Sequence, residues 1–166
     1  AAEAVLRNPR ARVLVLYPAR ALIQDQAQKW AAFLAELNLS YTFIDGSVPC
    51  AERAGLVARH PIVLMTPDVA HAWLLARQGQ REPRAFLAQL SLVVLDEAHV
   101  YEGVFGTNMA YFLRRLRVSA PRARFMASTA TIAAPAAYLE QLTGAPFTVI
   151  DEQDDGKVRI AAPFTI

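Results

Sequence analysis

One cysteine, Cys50, stands among the 166 residues, so no internal disulfide can form, and a reducing cytosol is the expected setting. His60, His71 and His99 are the only histidines, and with a single cysteine no Cys/His spacing of a zinc site exists. Lysine occurs only at positions 29 and 157, which leaves the positive charge to arginine. The net charge is +2, which argues against a polybasic tail but leaves room for a local phosphate-binding groove. No apolar run is long enough to span a bilayer, and no charged segment followed by an apolar one opens the chain. No membrane association is therefore expected. What the chain has in abundance is apolar residues, 54% of the total, too many for a disordered polypeptide.

Those residues fall in short bursts. Six runs read as strands: Arg12–Tyr17, Ser40–Ile44, Ile62–Thr66, Leu92–Leu95, Ala123–Ala127 and Phe147–Ile150. They do not alternate with polar residues, as expected of strands covered on both faces. Helical patterns lie between them, near Ala21–Leu37, Cys50–Ala58, Asp68–Arg77, Phe86–Gln89, Asn108–Leu116 and Ala134–Leu142, and Ala1–Asn8 reads as the end of another helix. Strand–helix alternation predicts an α/β domain with a mostly parallel sheet, helices on both faces, and every strand C-terminus on one edge. Ligands of such sheets bind at that edge. Trp30, Phe33, Leu34 and Leu37 have helical spacing and are expected in the core, as are Trp73 and Leu74. Residues 151–166 begin with the acidic, polar DEQDDG and read as a linker or the start of a passage onward.

The fourth run ends in Asp96-Glu97-Ala98-His99. A carboxylate at a strand end can hold Mg²⁺ through its water shell, and a second one beside it can deprotonate an attacking water. Adjacent side chains on a strand point opposite ways, so the chain must turn here for both to serve one site. Two solvated acids at a strand exit would give the same letters. Four further segments weigh against that reading, each where a strand meets a loop: LYPARALIQDQ, IDGSVPCAER, TPDVAHAWLL and STATIAAP.

Together and in this order these segments resemble the first RecA-like domain of superfamily 2 helicases of the DEAD/DEAH-box type, a P-loop NTPase-type fold. Pro18-Ala19-Arg20 resembles motif Ia, Thr66-Pro67-Asp68 motif Ib, Asp96–His99 motif II, and Thr129-Ala130-Thr131 motif III. The flanks DGSVPCAER, TPDVAH, DEAHVYEGVFGTN and TATIAAP are most similar to the RecQ-related DNA helicases that carry a C-terminal zinc-binding domain. The resemblance implies ATP and Mg²⁺ as cofactors, with Asp96 holding the metal through water and Glu97 activating the hydrolytic water. It implies that His99 reaches Thr129 or Thr131 and so couples the nucleotide to the strand-binding face. Arg20, Gly46, Thr66, Asp68 and Phe105 would meet single-stranded nucleic acid, DNA by the flanks, in a repair setting. A second RecA-like domain is the implied partner. Ala19 departs from the family's threonine and lacks the hydroxyl that would meet a phosphate.

One element of such a domain is missing from these residues. The phosphate cradle G-x-x-x-x-G-K-[ST] occurs nowhere, because neither Lys29 nor Lys157 has its glycines and hydroxyl. The expectation is therefore a partial first RecA-like domain over residues 1–150, truncated before motif Ia, that alone binds nucleotide poorly and hydrolyses none. Without the P-loop strand, Ala123–Ala127 and Phe147–Ile150 would have unpaired edges and invite self-association. The alternative is a non-catalytic nucleic-acid-binding or interaction module of helicase fold. Three residue groups stay open between packing and binding: Tyr101 with Phe105, His71, and the arginines at 114, 115, 117, 122 and 124.

Overall fold

A computed structural model describes residues 1–130 and 132–150. Five strands form one parallel sheet in the order β2-β3-β1-β4-β5: β1 (Arg12–Leu16), β2 (Tyr41–Ile44), β3 (Ile62–Met65), β4 (Leu90–Leu95) and β5 (Arg124–Ala127). Their register aligns the ends. Ile44 pairs with Met65, Met65 with Leu16, Leu16 with Leu95, and Leu95 with Ala127. The residue after each strand therefore falls in one row along the C-terminal edge: Asp45, Thr66, Tyr17, Asp96 and Ser128.

Helices cover both faces, as the unalternated strands require. On one face Val13, Val15, Ile62 and Leu64 pack against α1 (Ala2–Arg7) and α2 (Arg20–Glu36) through Val5, Ile23 and Leu34. The other face carries Leu14, Leu16, Val63, Met65, Val93 and Leu95. Over it lie α3 (Cys50–Arg59), α4 (Pro67–Val69, running on as a π-helical turn over Ala70–Leu75), α5 (Arg81–Ala88), α6 (Gly103–Ser119) and α7 (Pro135–Thr143).

Local chemistry sets the helix bounds. In α2 the residues Ile23, Ala27, Trp30, Leu34 and Leu37 alternate at spacings of four and three, which makes a stripe along one side. The helix ends where Asn38 turns left-handed at φ 55°, with Asn38 N–H donating to Ala35 O and Leu39 N–H to Leu34 O, a Schellman closure. Leu34 is fully buried and Trp30 partly so, but Phe33 points off the stripe and is 54% exposed, which corrects its expected place in the core. Trp73 and Leu74 are buried as expected.

Helix α5 is longer than the sequence pattern indicates, because Pro83 sits in its first turn, where a missing N–H costs nothing. The sixth expected strand is absent: residues 147–150 are irregular. A strand exists only by its ladder, and β5 pairs with β4 alone, so no described neighbour offers 147–150 one. β5 is thus an edge strand, with Met126 53% exposed. Among the described residues no helix is long and apolar enough to cross a membrane.

Candidate functional site

The edge row is built by continuing the sheet's hydrogen bonding past the strands. Asp96 N–H donates to Leu16 O over 3.0 Å, Ser128 N–H to Leu95 O over 2.9 Å, and Ala98 N–H to Ser128 O over 2.9 Å. The turn that two adjacent carboxylates require occurs at Glu97, which is left-handed at φ 50° and ψ 46°. A non-glycine residue held there signals a constrained position. The chain then enters a short 3-10 turn over Ala98–Val100.

The side chains converge across β4 and β5. The Ser128 hydroxyl donates to Asp96 Oδ1. His99 Nδ1 accepts the Ala130 N–H at 3.2 Å and lies 3.3 Å from Glu97 Oε2. A ring nitrogen that accepts cannot also donate, so with Ala130 bonded the Glu97 carboxylate keeps its lone pairs. His99 is expected to reach Thr129 or Thr131. Among the described residues its contact with this loop is the backbone of Ala130, between them. The Thr129 hydroxyl is buried without a partner among the described residues, and Thr131 lies outside them. Ser128, the residue that touches Asp96, was missed by the sequence reading, which began the motif one position later.

Asp96 also borders an open cleft of about 600 Å³ that crosses Val94 and Val15 and is walled by Tyr17, Trp30 and Lys29. Trp30 Nε1–H donates to the Tyr17 hydroxyl over 2.9 Å. Burial pushes the Tyr17 phenol above its ordinary range, which keeps it neutral at this rim.

Beneath the motif, α7 braces the turn. The Tyr138 hydroxyl lies 2.8 Å from the carbonyls of both Ala98 and Tyr101. Tyr101 is buried, its hydroxyl without a partner among the described residues, while Phe105 is 45% exposed with its ring centroid 5.4 Å from that of Tyr101. Gly103 takes φ +57°, and a Cβ on Gly106 would lie 2.2 Å from Tyr101 O, so both glycines are needed for this loop. The residues left open between packing and binding have these described neighbours. Tyr101 is packing. His71 lies against Phe112 and within 2.6 Å of Arg115. Arg114 donates to Gln141 O over 2.9 Å and Arg117 to Thr143 O and Gly144 O, where they satisfy the last carbonyls of α7.

The other end of the row lies three strand spacings from Asp96, roughly 14 Å. There Asp45 is buried. Its Oδ1 accepts from the Ser47 amide, over 2.8 Å, and from the Ser47 hydroxyl, and its Oδ2 accepts from Arg20 Nε over 2.9 Å. Burial alone would raise its pKa, but the Ser47 and Arg20 donors outweigh it and hold the carboxyl below its usual range. Arg53, also buried, donates to Val48 O over 2.9 Å and to Asp45 O over 3.4 Å, which closes the loop from inside. Gly46 and Asp68 are exposed, whereas the Thr66 hydroxyl is buried with no partner among the described residues. The sequence reading named Arg20 and Gly46 but not Asp45 or Arg53. The D-G-S signature of an Asx turn was the available signal.

A parallel sheet of this connectivity, with helices on both faces and an acidic pair at the end of β4 joined to the end of β5, is a RecA-like fold. Residues 1–139 match the DEAD/DEAH box helicase family, and the chain belongs to it. It is 31% identical over 157 residues to the ATP-dependent helicase YprA of Bacillus subtilis, covering 90% of this chain and 21% of that protein. The ATP-dependent helicase hrq1 of Schizosaccharomyces pombe is 29% identical over 151 residues, covering 86% of this chain and 14% of its own length. Among solved structures, the DUF1998 helicase MrfA bound to DNA and AMPPNP superposes with a TM-score of 0.81 at 30% identity, over 89% of this chain and 21% of that one. The chain thus spans about a fifth or less of the length of these relatives.

Proposed function

We propose that these residues are part of the first motor domain of an ATP-dependent helicase, residues 1–150 being the domain and 151–166 a passage toward a second one. The observation that carries this reading is the junction of Asp96, Glu97 and His99 with Ser128 and Ala130, in one edge row with the Arg20–Asp45 pair. Glu97, turned by its left-handed backbone, would take a proton from the attacking water. Asp96 has one oxygen taken by Ser128, and among the described residues no cluster of three or more His, Cys, Asp or Glu side chains could cage a metal. That donor set fits an ion that keeps most of its water, as Mg²⁺ does when it arrives with nucleotide phosphates. Bound there, Mg²⁺ would neutralise charge on the transferred phosphoryl group. His99, holding Ala130, would pass changes at motif II to the β5 end.

In this reading Arg20, Gly46 and Asp68 line the path of a single nucleic-acid strand, with Phe105 offering an aromatic face for a base. The DNA in the MrfA complex favours DNA. The 166 residues contain no G-x-x-x-x-G-K-[ST], so the phosphates would be held by groups outside them and this chain alone would bind nucleotide poorly. The test is a calorimetric titration of the chain with Mg²⁺-ATP at millimolar concentration. The reading expects no binding heat; micromolar affinity would mean that another loop of this chain cradles phosphate. The open edge of β5 supports a second expectation, self-association of the isolated chain. A monomer by light scattering at high concentration would count against it.

A further inference from the structure

The buried carboxylate of Asp45 belongs to no ATP chemistry and lies at the far end of the row. We propose that Asp45 is a positioning residue that sets the Arg20 guanidinium and the Gly46–Ser47 turn to receive one backbone phosphate of a nucleic-acid strand. This rests on the strand-binding reading above.

Four observations converge on it. First, Asp45 is 1% exposed while the Arg20 side chain it bonds is 55% exposed, so the pair is anchored inside and offered outside. Second, Arg20 uses only Nε on Asp45, and its Nη donors have no partner among the described residues. Those N–H groups form the fork that suits a phosphate. Third, two carbonyls flanking this turn, those of Asp45 and Val48, accept from the buried Arg53. The Gly46 amide donates to no described residue. Fourth, nothing lies within 4 Å of where a Gly46 Cβ would stand, and its φ is not positive. The fold therefore does not demand glycine there, and its absence of a side chain leaves the backbone open to close approach by a ligand. The Asp45 charge is offset by the Arg20 guanidinium it pairs with, and it lies on the buried side of that pair.

The alternative is a carboxylate that only closes the turn. Asp45→Asn separates the two. The amide oxygen of Asn still accepts the Ser47 N–H, but its NH₂ faces Arg20 Nε donor to donor and releases the guanidinium. Binding of a fluorescein-labelled single-stranded oligodeoxynucleotide is followed by polarisation across a salt series for the wild-type chain, Asp45→Asn, Arg20→Ala and the double variant. Freeing one ordered side chain should weaken binding roughly three- to tenfold in Asp45→Asn. The log–log salt slope should fall by about 0.7, one phosphate contact. Arg20→Ala should match it, and the double variant should be no weaker than Arg20→Ala. Wild-type affinity in Asp45→Asn, with Arg20→Ala impaired, would overturn the inference alone; so would additive losses in the double variant. No binding by the wild-type chain would overturn the strand-binding reading and the inference with it. If Asp45→Asn does not fold, the wild-type Arg20 Nε–H resonance decides. The inference expects it resolved and protected from exchange, with and without oligonucleotide, and loss of protection on binding would overturn it.

Discussion

The amide of Ala130 donates to Nδ1 of His99 over 3.2 Å, and this bond joins the turn after β4 to the loop after β5. It is the only described side-chain contact of His99 with that loop, so removing the ring should loosen the loop without unfolding the domain. In His99→Ala the Ala130 amide should exchange with solvent roughly five- to tenfold faster, the equivalent of about 1 kcal/mol for one exposed hydrogen bond. Native-state hydrogen exchange reads this directly. Unchanged exchange at Ala130 would mean the bond does not hold the loop.

Tyr101 and Tyr138 should respond in opposite senses to loss of a hydroxyl. The Tyr138 oxygen meets two carbonyls of the motif II turn, so Tyr138→Phe should cost about 1–3 kcal/mol. The Tyr101 hydroxyl is buried with no partner among the described residues, so Tyr101→Phe should be neutral or stabilising. Denaturant midpoints distinguish them. Burial first, then the charges of Asp96 and Tyr138, push the Tyr101 phenol well above its ordinary value. A folded-state pKa above the unfolded one contributes stability that is present below about pH 10 and lost as pH rises toward the folded value. Tyr101→Phe should therefore lose less stability than wild type above that pH.

Two glycines should separate structure from binding. Ala at position 106 would place a methyl group 2.2 Å from Tyr101 O, and the overlap should cost about 1–3 kcal/mol and shift the Phe105 loop. Ala at position 46 meets nothing within 4 Å and should leave stability within about 0.5 kcal/mol. Gly46→Ala should nevertheless weaken oligonucleotide binding. Intact binding in that variant would remove Gly46 from the strand path.

The Asp45 carboxyl predicts an acid limb of stability. Its folded-state pKa lies below the unfolded value, because the Ser47 and Arg20 donors outweigh the opposing effect of burial. The contribution is complete above the unfolded value of about 3.9 and is lost as pH falls through the folded one. Asp45→Asn should be less stable than wild type near neutrality and show a shallower loss on acidification. Parallel acid limbs in the two proteins would show that the carboxylate does not contribute.

Much of this was legible in the sequence, for identifiable reasons. Short, unalternated runs with β-branched residues, such as Val13–Leu16 and Ile62–Met65, suit strands covered on both faces, and their order with the helices indicates a parallel sheet. The acidic pair was visible because its neighbours along the edge are contiguous words such as TPD and DEAH. What escaped was pairwise and distant in sequence. Ser128 meets Asp96 across 32 positions, and Tyr138 meets Ala98 across 40, with no local pattern to announce either. Phe147–Ile150 has a strand's composition, but composition supplies no partner. Phe33 has core composition too, yet one step of 100° around α2 takes it off the apolar stripe.

The account turns on Glu97 as the group that activates water. The direct test is DNA-stimulated ATP turnover by the longer helicase to which we propose these residues belong, as wild type and as Glu97→Gln, with nucleotide affinity measured alongside. The account predicts turnover in the variant reduced by two or more orders of magnitude, roughly the contribution of a positioned base, with nucleotide binding retained. Turnover near the wild-type rate would contradict it and take Glu97 out of the chemistry.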